Sequence, residues 1–202
     1  MKKVIAIAAA LMLIGTTAFA QNFGAGYVQS TQKYNNSPTT FNGFYAGFGY
    51  TAEIMPGLSL NPGLYYEFLT GTEGASWGSL ASVSGKTTEH YVNVPLHLSY
   101  ALQFAPTFKL FLYGGPTANV GIASTTKITG NVLGFGGTDT IDNYEDDGYS
   151  RFDIMLGGGI GAEIAKKLRL TVGYDLGMLN RIDESDSTLK RNRLTAGAAF
   201  IF

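Results

Sequence analysis

The stretch Tyr91–Gln103, YVNVPLHLSYALQ, restricts the fold more than any other part of the chain. Val92, Val94, Leu96, Leu98, Tyr100 and Leu102 share one parity, and Asn93, Pro95, His97, Ser99 and Gln103 share the other. Successive side chains point to opposite faces in an extended strand, so a period of two specifies a strand with one apolar and one mostly polar face. A soluble sheet turns the apolar face to a core; a membrane barrel turns it to lipid.

The same pattern recurs in Asn22–Ser30, Asn42–Ile54, Leu58–Leu69, Thr107–Ala123, Arg151–Ala165, Leu168–Leu179 and Lys190–Phe202. Within these segments Glu53, Glu67, Lys109, Asp153, Glu163, Arg169, Asp175, Arg191 and Arg193 all lie opposite the apolar face. Phe111 is a misfit among the polar positions of its strand. An Arg or Lys facing lipid at mid-membrane costs roughly 2–4 kcal/mol, whereas in a lumen it can pair. A soluble lipid-carrying barrel would show the reverse arrangement. The connections alternate in length. Met55-Pro56-Gly57, Phe104-Ala105-Pro106 and the turn at Lys166 and Lys167 are short; Thr31–Thr40, Thr70–Thr88, Ser124–Ser150 and Asn180–Leu189 read as long loops. Short periplasmic turns and longer extracellular loops are the asymmetry of an outer-membrane barrel. The expected fold is therefore all-β: a closed eight-stranded antiparallel transmembrane β-barrel, an up-and-down meander.

Composition agrees. The 202 residues include 27 Gly, 12 Tyr and 13 Phe, and only 14% are charged, against roughly 25% in soluble domains. Lys2 and Lys3, the apolar run Val4–Ile14 and Ala18-Phe19-Ala20 have the layout of a secretory signal peptide, residues 1–20, cleaved after Ala20. The barrel domain is then 21–202. With no cysteine, neither a lipid-modified cysteine nor a disulfide can form. Of 14 Lys and Arg, removal of Lys2 and Lys3 leaves 12 against 15 acidic residues, which gives no support for nucleic-acid binding.

An eight-stranded lumen is just wide enough for side chains to fill. Inward glycines leave room for Tyr45, Tyr65 and Tyr113. Glu53, Lys109, Glu163 and Arg169 are expected at one depth near the short turns, with Glu163 opposite Arg169 about Lys166. Glu67, Asp153, Arg191 and Arg193 form a candidate second cluster, so the lumen reads as a plug. A proton or ion path through His97 and Asp175 is the functional alternative. Tyr100, Phe108, Phe200 and Phe202 mark one aromatic girdle and Tyr27, Phe44, Phe68 and Phe152 the other. Pro95 removes a ladder donor, so a bulge or a break in pairing is expected there.

The chain resembles the PorT-like family of small outer-membrane β-barrels from Bacteroidota-type bacteria. Tyr91-Val92-Asn93-Val94-Pro95-Leu96, Gly114-Gly115-Pro116 and the Gly-rich Leu156–Ile164 carry the resemblance, which extends over essentially the mature chain. It implies an outer-membrane location, and it implies that Phe202, with Phe200 two residues before it, is read by the barrel-assembly machinery. The founding member is associated with protein secretion, and no residue of this sequence carries that role.

Catalytic, cofactor and metal sites are all expected to be absent. His90 and Glu89, with Ser79, Ser82 and Ser84, are the only candidates for a lipid-modifying enzyme. The acidic stretch Asp139, Asp142, Glu145, Asp146 and Asp147 offers oxygen ligands for a divalent cation, or a cation bridge to lipopolysaccharide, but lacks EF-hand spacing. Gly157–Gly161 lies in an alternating strand with no following helix, so it is not a phosphate loop. Three roles fit such a chain: a structural or surface-interaction barrel meeting lipid, lipopolysaccharide or a protein partner at its loops, a narrow channel or transporter, and an enzyme.

Overall fold

The computed structural model describes residues 21–35, 37–77, 81–132, 135–145, 148–182 and 187–202; the expected signal segment 1–20 lies outside them. The strands are β1 (Asn22–Tyr34), β2 (Ser37–Gly49), β3 (Ala52–Met55), β4 (Leu58–Trp77), β5 (Ala81–Ala105), β6 (Phe108–Val132), β7 (Phe135–Asp142), β8 (Phe152–Ile164), β9 (Leu168–Gly177) and β10 (Leu189–Ile201). All pairings between them are antiparallel, and eight strands close on themselves: β1–β2–β4–β5–β6–β8–β9–β10 and back to β1. The second expected strand is split at Tyr50 and Thr51, and β3 continues its course against β4. β7 stands off the ring, paired with β6.

The packing is inverted relative to a soluble protein. Among the described residues sixteen polar or charged side chains are buried against seven apolar ones. On β5 the apolar parity faces outward, with Leu96, Leu98, Tyr100 and Leu102 each about half exposed, while Tyr91, Asn93 and Ser99 are buried inside. Phe111 follows its parity and faces the lumen, because the Arg169 guanidinium sits 5.3 Å from its ring centroid.

The three short turns keep the parity expected of them. Ala52 pairs with Leu60 and Glu53 with Ser59, a bulge at Ile54 absorbs one residue, and Gly57 takes φ 83° in the turn. Gln103 pairs with Lys109 after a similar bulge. Glu163 pairs with Arg169 as the odd hairpin requires. A further bulge at Ile122 lets Tyr91 pair with Gly121 and His90 with Ala123. It exchanges the faces of the upper part of β6, so Ser124 is buried. Around Pro95 the ladder breaks without a change of register. Pro62↔Leu96 and Tyr65↔Asn93 flank two missing rungs toward β4, and Pro95↔Thr117 and Leu98↔Gly114 flank two toward β6.

Three expected loops are corrected to strand. Thr31–Thr40 is the end of a β1–β2 hairpin, paired as far as Tyr34↔Ser37. Thr70–Thr88 is mostly β4 and β5, paired as far as Trp77↔Ala81. Ser124–Ser150 contains the end of β6 and all of β7. Apart from positions next to the lumen, such as Gln32, Ser124 and Tyr144, the described residues of these segments meet solvent on both faces, so they carry no hydrophobic period. Threonine-rich pairing sustains them, as in Thr87–Thr126 at 2.9 Å and Thr39–Glu73 at 2.7 Å.

Register places the outer edge of the apolar band. Tyr27, Phe44, Phe68 and His90 form one outward row, with Phe44 and Phe68 stacked at 5.3 Å. Two residues further out, Gln29, Asn42, Thr70, Thr88 and Thr125 make the next outward row polar. Beyond it β4, β5, β6 and β7 continue as one sheet to Ala81↔Val132, roughly 20 Å of projection at about 3.3 Å per residue.

Candidate functional site

The lumen is organised in layers that can be followed from the short-turn end. Glu163 receives Lys109 Nζ at 3.4 Å and Arg169 Nη2 at 3.2 Å, across strands set side by side by register. Arg169 Nη1 donates to Thr51 Oγ1 at 3.1 Å. With Glu53 these side chains surround a vestibule of about 330 Å³. Glu53 is exposed there, while the other three form the expected charge group.

Above the vestibule lies a chamber of about 150 Å³, which meets it at Asn22, Phe111 and Arg169. Its walls are rings: Tyr45 edge-on to Tyr65 at 5.8 Å, and His97 stacked on Tyr113 at 5.4 Å. Glycine is required behind two of them. A Cβ at Gly197 would strike the Tyr45 hydroxyl, and one at Gly173 the Tyr113 hydroxyl.

A buried ionic layer roofs the chamber. Glu67 is fully buried and accepts from Arg191 Nη2 through Oε1 and from Arg193 Nη1 through Oε2 at 3.1 Å. Arg193 also donates to Asp175 Oδ2 from Nε at 3.0 Å and Nη2 at 2.8 Å. Arg191 completes its set with Ser30 at 2.7 Å and Asn119 at 3.2 Å, and its guanidinium lies 3.9 Å from the Tyr91 ring centroid. Asn93 links Glu67 at 3.1 Å to Asn119 at 2.7 Å. Two cations and two anions balance. The expected cluster is thus corrected in one member: Asp175 joins it, whereas Asp153 instead accepts the Leu179 backbone N–H at 3.2 Å. Side-chain reach decides this, because Asp175 and Arg193 are directly paired across β9 and β10.

Over this roof sits a second layer that the sequence pattern does not reveal. Glu89 accepts from Gln32 at 2.7 Å and Ser124 at 3.3 Å. Arg181, beyond β9, folds back over the mouth with only 1% of its surface exposed and lies 5.4 Å from the Tyr91 ring centroid. Tyr144 is buried there too, and burial raises its phenol pKa, so it remains a hydrogen-bond donor at neutral pH.

The sequence-derived candidates for chemistry are not brought together. Glu89 points inward and His90 outward, where His90 Nδ1 meets the Tyr66 hydroxyl at 2.5 Å. Ser82 and Ser84 lie further along the projecting hairpin, and Ser79 is outside the described residues. His97 bonds Thr117 at 3.1 Å while Asp175 is held by Arg193, so these two do not form a relay. Asp139 and Asp142 lie on β7, and their carboxylates accept backbone N–H groups of Thr140 at 2.8 Å and Tyr144 at 3.0 Å. Asp146 and Asp147 are outside the described residues. Among the described residues no group of three His, Asp or Glu side chains is placed to hold a metal ion. Gly157–Gly161 is strand β8.

A ring of antiparallel strands with a buried ionic interior and an apolar exterior defines the class of small outer-membrane β-barrels. The chain belongs to the outer membrane protein beta-barrel domain family, whose model matches residues 13–183. No curated protein matches it. Among solved structures it is similar to Neisserial surface protein A, at 14% identity over 90% of this chain and 96% of that one, with a TM-score of 0.50. It is also similar to Ail, the attachment invasion locus protein of Yersinia pestis, at 14% identity over 92% and 100% of the two chains, with a TM-score of 0.41. The outer membrane enzyme PagL matches at 9% identity over 88% of this chain and 99% of that one, with a TM-score of 0.42. At these identities the likeness concerns fold alone. The chain is an outer-membrane β-barrel protein.

Proposed function

We propose that the protein is a transmembrane, non-conducting and non-catalytic barrel of the PorT-like type whose projecting sheet meets a partner at the cell surface. In this reading the leader is cleaved after Ala20, the short turns are periplasmic and the hairpins extracellular. The outward band meets membrane lipid and lipopolysaccharide, and the barrel-assembly machinery reads Phe202. The observation that carries the reading is the four-stranded extension of β4, β5, β6 and β7 beyond the aromatic row. Among the described pairings β7 has a strand partner on one side only. A free strand edge offers backbone donors and acceptors to an extended segment of another chain. The narrow-channel alternative requires the layer of Glu67, Arg191, Arg193 and Asp175 to part, against a balanced set of buried ion pairs.

Photocrosslinking in intact cells tests this. A crosslinker at Ser84, Thr129 or Thr138 is expected to give protein adducts, and one at the outward-facing Leu98 only lipid adducts. Replacing residues 127–140 with Asn-Gly keeps the Thr126↔Ile141 rung and is expected to remove the adduct at Ser84 while the barrel still folds. Absence of protein adducts at all three sheet positions refutes the reading.

A further inference from the structure

The ionic roof closes the upper lumen, but the lower half is hollow. We infer that the chamber beneath the roof is a binding site for a small, neutral aromatic molecule, the size of benzene or phenol, admitted from the short-turn end past Arg169.

Size sets the first limit. The chamber is about 150 Å³, with Asn61, Asn93 and Thr195 in its lining beside the rings, and a cavity of about that volume is large enough to take up benzene. Shape sets the second. Tyr45 with Tyr65, and His97 with Tyr113, present ring faces and edges to the enclosed space, and offset or edge-on packing of a planar ring against such walls is favourable. Charge sets the third. Of the two roof guanidiniums, the one that lines the chamber, Arg193, is paired with both Asp175 and Glu67. Asn61 is engaged by Thr51 at 3.0 Å and Ser99 at 2.8 Å, and Asn93 by Glu67 and Asn119. At the roof no uncompensated charge remains to favour an ionic ligand, which would lose its hydration there without a partner; at the floor Arg169 is paired with Glu163.

Access is from the vestibule, which is periplasmic in the orientation proposed above. The two spaces abut at Asn22, Phe111 and Arg169. Arg169 is the movable element of the three. It is held by Glu163 and Thr51 on the vestibule side and by the Phe111 ring, and its Nε has no hydrogen-bond partner among the described residues. Swinging this side chain toward the vestibule opens the floor of the chamber without disturbing the roof.

The competing occupant is water alone. The test uses refolded full-length mature protein in lipid nanodiscs and 4-fluorophenol as the probe, followed by ¹⁹F NMR against empty nanodiscs. Saturable one-to-one binding is expected, with nuclear Overhauser contacts from the probe to the Tyr45 and Tyr113 rings. Thr171→Phe, which places a ring in the chamber, is expected to weaken binding at least about tenfold, or by roughly 1.4 kcal/mol. Arg169→Ala is expected to speed exchange and to admit the larger indole. Where Thr171→Phe fails to fold, the contacts to Tyr45 and Tyr113 in the unaltered protein decide. Partitioning no greater than into empty nanodiscs, or binding without contacts to those rings, overturns the inference and leaves the chamber to water.

Discussion

Glu67→Gln isolates what the ionic roof contributes. Glu67 is fully buried and accepts from three donors, on Arg191, Arg193 and Asn93. The amide has nearly the same volume, so packing is retained. It removes one negative charge from a set of two cations and two anions, and it turns one acceptor into a donor facing a guanidinium. Breaking a buried pair by removing one partner costs roughly 3–5 kcal/mol. Most of that here is the cost of leaving Arg191 unpaired, because Arg193 keeps Asp175. Removing both members, Glu67→Leu with Arg191→Met, leaves Arg193 and Asp175 as a neutral pair. The double variant is therefore expected to be more stable than the sum of its singles by about 1–3 kcal/mol. The assay is reversible urea unfolding in lipid vesicles, read by the heat-modifiable mobility of the folded barrel on gels. A loss below about 1 kcal/mol for Glu67→Gln, within the range of an exposed ion pair, or strict additivity in the double variant, would refute the reasoning.

Other perturbations follow from the same geometry. Gly173→Ala drives a methyl group into the Tyr113 hydroxyl and is expected to cost about 1–3 kcal/mol as overpacking; Tyr113→Phe should recover part of that loss in the same unfolding assay. Leu98→Arg places a charge on the outward band and is expected to cost about 2–4 kcal/mol, whereas Thr129→Arg on the projecting sheet should stay within about 0.5 kcal/mol. Equal effects of these two would contradict the membrane position assigned to the aromatic row.

Much of this arrangement is legible in the residues. Alternation in Tyr91–Gln103 fixes which side chains face out, and the shared parity of Glu163 and Arg169 about Lys166 gives a contact that the structure reproduces at 3.2 Å. Pro95 signals the broken ladder toward β4 through its missing donor, whereas toward β6 it stays paired with Thr117 and the gap faces Gly115 and Pro116. What stays hidden has physical reasons. The hairpin extensions are polar on both faces, so no period separates Thr125–Asn131 from a loop. The Ile122 bulge exchanges faces in a way alternation cannot anticipate. Arg181 reaches the lumen from outside any strand, and only the folded connection brings it over Tyr91. Asp153 and Asp175 share inward parity, and which of them pairs with Arg193 depends on the cross-strand register of β9 and β10.

The central claim, an upper lumen sealed by Glu67, Arg191, Arg193 and Asp175, is tested most directly by single-channel recording on the refolded protein in planar bilayers. The sealed roof predicts no steady conductance in the unaltered protein. Step-like, persistent currents that change on Asp175→Asn would contradict it and make the protein a channel.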